Sequence, residues 1–142
     1  MDCFMDAKQV RDYLLSKPEA EEDFPFGPDV MVFKVKGKMF ALLSSDGGKN
    51  PDKRSQMNLK CDPLEATQLR DVFDDVIPGY HMNKKHWNTL YLADSNHTTD
   101  VPAGEIERQV DNSYGLVLQG MTKAMRRSLE VGYSNEQLYG KG

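Results

Sequence analysis

The sequence predicts an α+β domain in which helices cover an antiparallel β-sheet. Two observations lead to this fold class. Three segments repeat apolar residues every three or four positions, and several shorter segments are rich in strand-forming residues and are separated by turns. The 142 residues suit one ordinary domain. The predicted order is α-β-β-β-α-β-β-α in a single domain of residues 1–130, followed by a flexible C-terminal tail of residues 131–142.

The first predicted element is a helix from Asp6 to Ser16. Asp6 stands three residues before Gln9, which is the spacing of a capping box, and apolar residues continue at helical spacing until the helix ends before a proline. Residues 19–29 contain Pro and Gly and are predicted to form an ordered loop. Two aromatic residues are predicted to pin this loop to the core: Phe24 and Phe26.

Three strands are predicted next. Residues 30–35 and 39–43 are short β-rich segments, and the few residues around Gly37 that separate them predict a hairpin. Residues 44–55 form a long polar loop whose Gly-Gly-Lys lacks the remaining residues of a phosphate-binding loop. Residues 56–60 alternate apolar and polar side chains, which predicts the third strand.

Two further helices are predicted. Asp62 and Pro63 are typical of a helix start, as N-cap and first helical residue, and this helix is expected to finish near Phe73. From Pro102 the apolar residues step by three and four, which predicts a long third helix. Residues 122–129 are expected to add a last helical turn or two.

The central segment between these helices carries most of the chemically distinctive residues. Pro78 and Gly79 predict a turn, and residues 86–92 predict a strand that contains Trp87, the single Trp of the chain. Donors, cations and aromatic rings cluster at the entry to this strand: Tyr80, His81, Asn83, Lys84, Lys85 and His86. Such a cluster suits an anionic or stacking partner. The alternative is that Trp87 belongs to the core and the lysines form a solvated sheet edge.

Composition indicates a soluble, globular, cytoplasmic protein. Hydrophobic residues make up 39% and charged residues 28% of the chain, and no apolar segment approaches the ~20 residues of a membrane span. The N-terminal residues lack the features of a signal peptide. We therefore expect no membrane partner. Cys3 and Cys61 have the spacing of neither a disulfide framework nor a metal-ligand pair.

The charges are unevenly distributed along the chain. The formal net charge is −4, which excludes a uniformly basic nucleic-acid binder. Residues 1–29 carry 8 acids and 3 bases, whereas residues 30–60 carry 7 bases and 2 acids. Positive charge returns at Lys84 and Lys85. A local basic surface on an acidic protein is therefore predicted.

Several segments occur in the order of a known family: residues 21–27, 32–41, 58–63, 78–89 and 113–117. Over roughly residues 5–125 the chain resembles the MmcQ/YjbR family. The resemblance implies a CyaY-like sandwich with a double-wing arrangement of hairpins, and family members are commonly described as DNA-binding. It transfers no catalytic residues. If the resemblance extends to function, two groups of residues contact nucleic acid: Lys34, Lys36 and Lys38 on the first hairpin, and Asn83, Lys84, Lys85, His86 and Trp87 on the second.

The main alternative is a protein–protein interaction or chaperone-like adaptor module, with another protein or a second copy as partner. It would use a sheet edge or the segment from Tyr133 to Tyr139. A metal role would rest on acidic residues of the first helix and loop: Asp12, Glu19, Glu21, Glu22 and Asp23. His81 and His86 are a weak zinc signal. Cys61 is the candidate nucleophile of an enzyme, but it precedes a capping residue, so we expect no catalysis and no cofactor.

Overall fold

A computed structural model describes residues 4–44, 54–79 and 83–140. Its strands are β1 (Ala20–Asp23), β2 (Val30–Val35), β3 (Lys38–Ser44), β4 (Gln56–Lys60), β5 (Val76–Pro78) and β6 (Trp87–Tyr91). Its helices are α1 (Ala7–Leu15), α2 (Pro63–Val72), α3 (Ala103–Gln119), α4 (Lys123–Glu130) and α5 (Asn135–Tyr139). None of the helices in these ranges is long and apolar enough to span a membrane.

The six strands form one antiparallel sheet with the order β1-β2-β3-β4-β6-β5. This confirms the predicted α+β fold class. The predicted order α-β-β-β-α-β-β-α is present as α1, β2, β3, β4, α2, β5, β6 and α3. The structure adds strand β1 after α1 and helix α5 at the end, and α4 confirms the helical turns expected over residues 122–129.

Local signals explain the starts of the first two helices. The Asp6 carboxylate accepts a hydrogen bond from the Gln9 N–H at 2.9 Å, and the Gln9 side chain accepts one from the Asp6 N–H at 3.0 Å. At α2 the Asp62 carboxylate accepts hydrogen bonds from the N–H groups of Leu64 and Glu65. These bonds satisfy backbone donors that have no partner inside the helix, so the caps fix where each helix begins.

Helices α1, α2 and α3 lie on one face of the sheet, which we call the helix-covered face. Arg11 of α1 donates from Nε to Glu22 of β1 at 2.6 Å. The buried Asn88 of β6 donates from Nδ2 to the carbonyl oxygen of Ala66 in α2. Ser113 anchors α3 to the two central strands. Helices α4 and α5 follow α3, and α5 packs against it.

The Ser113 hydroxyl joins α3 directly to the backbone of the sheet. Its oxygen donates to the Phe40 carbonyl oxygen at 2.7 Å and accepts from the Lys60 N–H at 2.9 Å. Next to it, Tyr114 packs edge-to-face on Phe40 with ring centroids 5.2 Å apart. A buried hydroxyl with both roles satisfied stabilises this contact, because it leaves neither strand with an unpaired polar group.

The core lies between the helix-covered face and the helices. On β4, Met57 and Leu59 face the helices, as the alternation predicts, while Asn58 faces the opposite side. On that opposite side the buried Thr89 hydroxyl donates to Asn58 Oδ1 at 2.6 Å. The largest fully buried side chains include Phe33, Phe40, Met57, Leu90, Ile106 and Tyr114.

The prediction for residues 19–29 was wrong in two respects. Their first part is strand β1, and the two aromatic side chains do not pin the loop to the core, since Phe24 is 46% and Phe26 is 70% exposed. Strand β1 is nearly all acidic, so its sequence shows no strand pattern. It becomes a strand because it pairs with β2 along its whole length.

The described part of the predicted flexible tail contains a helix instead. Helix α5 begins with a capping box between Ser134 and Gln137, and its Leu138 is fully buried. The buried Lys17, which follows the end of α1, holds α5 by donating to the Gln137 carbonyl oxygen at 3.3 Å. The polar composition of the tail favoured a disordered segment. The spacing of Ser134 and Gln137, however, is that of a capping box and could have predicted the helix.

Candidate nucleic-acid interface

The two hairpins that the sequence singled out end on the same side of the sheet. Lys60, the last residue of β4, pairs with Trp87, the first residue of β6, and Leu59 pairs with Ala41 of β3. Adjacent strands lie about 4.8 Å apart, so β3 and β6, which flank β4, are about 10 Å apart. We call this end the wing end; it comprises the first wing (residues 36–38), Lys60 and the second wing (residues 83–87).

The three lysines of the first hairpin do not act as one cationic group. Lys34 Nζ lies 3.2 Å from Asp23, and Lys36 Nζ lies 3.2 Å from Glu19. Both pairs are partly exposed, so each contributes little to stability, but each neutralises a lysine. Lys38 is exposed, and among the described residues it has no carboxylate partner. Of the three, it is the lysine that no described carboxylate neutralises.

Backbone geometry separates these lysines. Lys36 and Gly37 have positive φ values of 52° and 76°, which is typical of a two-residue hairpin turn. Lys34 and Lys38 consequently lie on different strands. The N–H of Phe24 and then the Lys34 ammonium hold the pKa of Asp23 below its ordinary value. Asp23 is therefore ionised at neutral pH and available to neutralise Lys34.

The second wing is a turn organised by Asn83. Its carbonyl oxygen accepts from the N–H groups of His86 at 3.1 Å and Trp87 at 2.9 Å, and its Oδ1 accepts from the Lys85 N–H at 3.0 Å. The side chain of Asn83 thus shapes the turn, a role different from the nucleic-acid contact proposed for it. The side chains of Lys84 and Lys85 are both exposed on this turn.

Further hydrogen bonds attach the second wing to its neighbours. The His86 carbonyl oxygen accepts from the Cys61 N–H at 2.8 Å, and the Trp87 carbonyl oxygen accepts from the Gly79 N–H at 2.8 Å. A Cβ at Gly79 would lie only 2.9 Å from both Cβ and the carbonyl oxygen of Trp87. This close approach explains why a glycine follows Pro78. Trp87 itself is half-buried, so it is neither a fully buried core residue nor a fully exposed contact residue, the two interpretations offered by the sequence.

Lys60 belongs to the wing end, although the sequence-based set of contact residues omitted it. Because Met57 and Leu59 face the helices, Lys60 faces the other side of the sheet, directly opposite Trp87. It is half-buried and makes no ion pair with any described carboxylate. The alternation of β4 was sufficient to predict its orientation; its pairing with Trp87 required the sheet order.

Cys61 adjoins the second wing but is a poor nucleophile. Burial, followed by the nearby Glu65 and Asp62 carboxylates, raises the pKa of its thiol to about 11. The thiolate is the reactive form, so this cysteine is almost entirely protonated at neutral pH. The neighbouring Asp62 serves as the N-cap of α2, as the sequence predicted.

The acidic residues proposed for metal binding are largely engaged with bases. Glu19, Glu22 and Asp23 each pair with a lysine or arginine. Across residues 4–44, 54–79 and 83–140, no group of three or more His, Cys, Asp or Glu side chains is arranged to hold a metal ion. His81 and Tyr80 lie outside the described residues.

A family model described as YjbR matches residues 15–116. The chain belongs to the YjbR family. Its relatives in Escherichia coli confirm the resemblance seen in the sequence motifs. Uncharacterized protein YbdF of strain O157:H7 is 32% identical over 118 residues, which cover 83% of this chain and 88% of that protein. Uncharacterized protein YjbR of strain K12 is 30% identical over 125 residues, which cover 88% of this chain and 98% of that protein.

Solved structures of similar proteins share this fold. A crystal structure of a Deinococcus radiodurans protein with the DUF419 domain superposes with a TM-score of 0.74 at 33% identity, covering 89% of each chain. A crystal structure of a Pseudomonas syringae protein superposes with a TM-score of 0.66 at 32% identity, covering 80% of this chain and 99% of that one. This chain therefore shares its fold with proteins from two bacterial genera.

Proposed function

We propose that this YjbR-family protein binds nucleic acid through its wing end. One observation carries the proposal. Four lysines at this end make no ion pair with a described carboxylate: Lys38, Lys60, Lys84 and Lys85. Nucleic acids are polyanions, and lysines that are not already neutralised bind their phosphate groups. The proposal involves no catalytic step and assumes the cytoplasmic location expected from the sequence.

Trp87 supplies the contact that a phosphate-binding surface lacks. It lies opposite Lys60 and directly follows the second wing, so its indole ring is beside the cationic groups. Stacking of a base on an aromatic side chain contributes about 1–3 kcal/mol. In this proposal Lys84, Lys85 and Lys60 contact the sugar–phosphate backbone, and the accessible part of the Trp87 ring contacts an unstacked base.

The acidic character of the whole protein restricts the mode of binding. With a net charge of −4, the protein as a whole repels nucleic acid, so the attraction has to come from a local cationic surface, which in this proposal is the wing end. Binding should therefore depend strongly on salt. With four lysines in contact, the slope of log K against log salt concentration is expected to reach about −3.6 on duplex DNA.

The test is titration of Trp87 fluorescence with duplex and single-stranded oligonucleotides at low salt. Trp87 is the single Trp, so its signal reports the wing end alone. We expect saturable quenching that weakens as salt is added. The double substitution Lys84→Glu and Lys85→Glu should abolish it, because it replaces two phosphate-binding cations with repelling carboxylates.

A matched control distinguishes an effect of the wing-end lysines from an effect of the net charge of the protein. Lys123→Glu with Arg127→Glu changes the charge of the protein by the same amount at helix α4, where neither side chain has a carboxylate partner among the described residues. This control should bind nearly as well as the unchanged protein. Equal loss in both double variants, or no retardation of any oligonucleotide at low salt, contradicts the proposal.

A second candidate function, a protein–protein interaction, is favoured by the exposed aromatic residues after β1. Phe26 is 70% and Phe24 is 46% exposed, and β1 is an edge strand whose outer side is unpaired within the described sheet. An edge strand beside exposed aromatic rings suits addition of a partner strand. The alternative site, the segment from Tyr133 to Tyr139, is packed against the protein itself.

This second function is tested by the mass of the protein in solution. If β1 pairs with a second copy, light scattering should show a mass that rises with concentration. The double substitution Phe24→Ser and Phe26→Ser should return the protein to a monomer. A monomer at all concentrations, together with no partner whose capture depends on Phe24 and Phe26, removes this candidate.

A further inference from the structure

We infer that Arg70 is a positioning residue of the second wing, an inference that rests on the proposed nucleic-acid binding. Arg70 lies in the last turn of α2 and reaches the connection between β5 and β6. Its Nη2 donates to the Lys84 carbonyl oxygen at 2.6 Å, and its Nε donates to Asn88 Oδ1 at 2.8 Å. One side chain thereby holds the wing and strand β6 in a fixed relation.

The acceptor on β6 is itself fixed. Asn88 is only 1% exposed, and its Nδ2 donates to the Ala66 carbonyl oxygen of α2 at 3.4 Å. Because the amide nitrogen faces Ala66, the amide oxygen faces Arg70. The guanidinium therefore has one favourable orientation, and in that orientation its Nη2 group meets the Lys84 carbonyl oxygen. A planar group with several donors suits such a two-point contact, and a lysine does not.

No carboxylate among the described residues neutralises Arg70. Four other arginines bind carboxylates: Arg11, Arg54, Arg108 and Arg126. Within the described residues Arg70 bonds only to neutral oxygens, so its positive charge adds to those of Lys84 and Lys85. Like charges on residues that lie near one another repel, and an anion that binds beside them relieves this repulsion. The arrangement therefore favours an anionic ligand, which in the proposed function is the phosphodiester backbone.

The hydrogen bond to the Lys84 carbonyl oxygen also reduces the entropic loss on binding. Asn83 fixes the turn from one side, and Arg70 fixes it from the other. Lys84 and Lys85 consequently extend from a backbone that is ordered before the ligand arrives. Groups held in place in this way lose less conformational freedom on binding than groups on a loose loop.

The experiment compares Arg70→Lys with Arg127→Lys. Both substitutions keep the charge, and Arg127 lies on α4 without a carboxylate partner among the described residues, so it is a matched control. Affinity is measured for the oligonucleotides that the unchanged protein binds. Arg70→Lys should weaken binding about tenfold, as expected for the loss of a charge-assisted hydrogen bond. The salt slope should not change, because the number of cations is the same.

A second readout follows the wing without any ligand. Loss of the Arg70 bonds should increase acrylamide quenching of Trp87 in the free protein, and Arg127→Lys should not. If Arg70→Lys does not fold, Arg70→Gln is measured in its place and should lose at least as much affinity. Thermal melts establish that each variant is folded.

The outcomes distinguish the two proposals. If the unchanged protein binds no oligonucleotide, the nucleic-acid function is overturned and the ligand assigned to Arg70 with it. If the unchanged protein binds and Arg70→Lys binds within about twofold of it with unchanged Trp87 quenching, only the role of Arg70 is overturned. A tenfold loss confined to Arg70→Lys, with greater quenching of Trp87, supports the inference.

Discussion

The two ends of the sheet differ in whether their cationic side chains are paired with carboxylates. Opposite the wing end lies what we call the closed end, formed by residues 54–55, 74–75 and 92–100. There Arg54 pairs with Asp75 at 3.1 Å and donates to the Thr98 carbonyl oxygen at 2.6 Å. Its guanidinium also lies over the Tyr91 ring, 4.4 Å from the centroid. At the wing end, by contrast, Arg70, Lys38, Lys60, Lys84 and Lys85 have no described carboxylate partner, although Lys36 pairs with Glu19.

Three carboxylates of the closed end also accept hydrogen bonds: Asp75, Asp94 and Asp100. Asp100 accepts from the N–H groups of Asp74 and Asp75, and Asp75 in return accepts from the Asp100 N–H. Asp94 accepts from the Asn96 N–H and contacts the His97 ring at 2.9 Å. Each of these carboxylates ties one chain segment to another.

The comparison teaches that this fold does not need unpaired cations in order to connect its strands. Both ends contain tight connections between strands, and at the closed end the arginine is neutralised by Asp75. The wing end holds its turns with backbone and amide hydrogen bonds, and four of its lysines have no partner among the described carboxylates. In the proposed function these four lysines bind the phosphate groups of nucleic acid.

The largest effect on stability is expected at the closed end, from Arg54→Ala. The substitution leaves the mostly buried Asp75 without its cation and removes the contact with Tyr91. We expect the free energy of unfolding to fall by about 2 kcal/mol. Urea denaturation measures it, with Arg127→Ala as the control. A loss no larger than that of the control would show that the closed end is not held by its charges.

Gly79→Ala should have the next largest effect, at the wing end. The added Cβ would meet the Trp87 backbone and Cβ at 2.9 Å, so β5 and β6 must move apart. Overpacking of this kind costs about 1–2 kcal/mol. Gly104→Ala, where a Cβ meets nothing within 4 Å, is the matched control. Equal melting temperatures for the two variants would mean that the second wing is more loosely held than its geometry indicates.

Asp94→Asn tests the closed end through pH. Burial raises the pKa of Asp94, but hydrogen bonds from the Asn96 N–H, His97 and the Ser55 N–H outweigh it, so the pKa lies below its ordinary value of 3.8. A lowered pKa stabilises the folded protein above that ordinary value, and the stabilisation is lost as pH falls through the folded pKa.

Unchanged protein should therefore be more stable than Asp94→Asn at neutral pH, by about 1 kcal/mol. The difference should shrink as pH falls below about 4, because the carboxylate becomes protonated. Melting temperatures between pH 7 and pH 2.5 measure both curves. A difference that is constant over this whole range would mean that the charge of Asp94 does not contribute.

The smallest effect is expected for Lys84→Ala with Lys85→Ala. Both side chains are exposed and the turn is held by Asn83 and Arg70, so stability should change by less than about 0.5 kcal/mol. Affinity for nucleic acid should nevertheless fall strongly. A marked loss of stability in this variant would assign the two lysines a structural role and would remove the contrast between the two ends.

Most of the fold could be predicted because its signals are local. The capping residues Asp6 and Asp62, the Gly37 turn and the alternation of β4 each act over a few residues. Strand β1 could not be predicted in this way, since its acidic sequence lacks an apolar face. It is a strand because β2 pairs with it and because Arg11 from α1 neutralises Glu22.

The candidate site was less predictable because its properties depend on distant partners. Lys34 and Lys36 are adjacent to the first turn in sequence, but they are neutralised by residues of and before β1, the strand that was missed. The orientation of Lys60 could be predicted from the alternation of apolar and polar residues along β4. The role of Arg70 could not be predicted, because its partner is a backbone carbonyl group fourteen positions away that is near only in the folded chain.

The Ser113 hydroxyl has a consequence for hydrogen exchange. The Lys60 amide proton is bonded to this helix side chain, so it exchanges with deuterated solvent only when α3 lifts away from β4. The exchange rate of that proton therefore reports whether α3 is packed on the sheet. The proton belongs to Lys60, a residue of the wing end. A ligand that holds the wing end more tightly against α3 slows exchange of the Lys60 amide proton. Binding at the surface can therefore be measured through one buried amide proton.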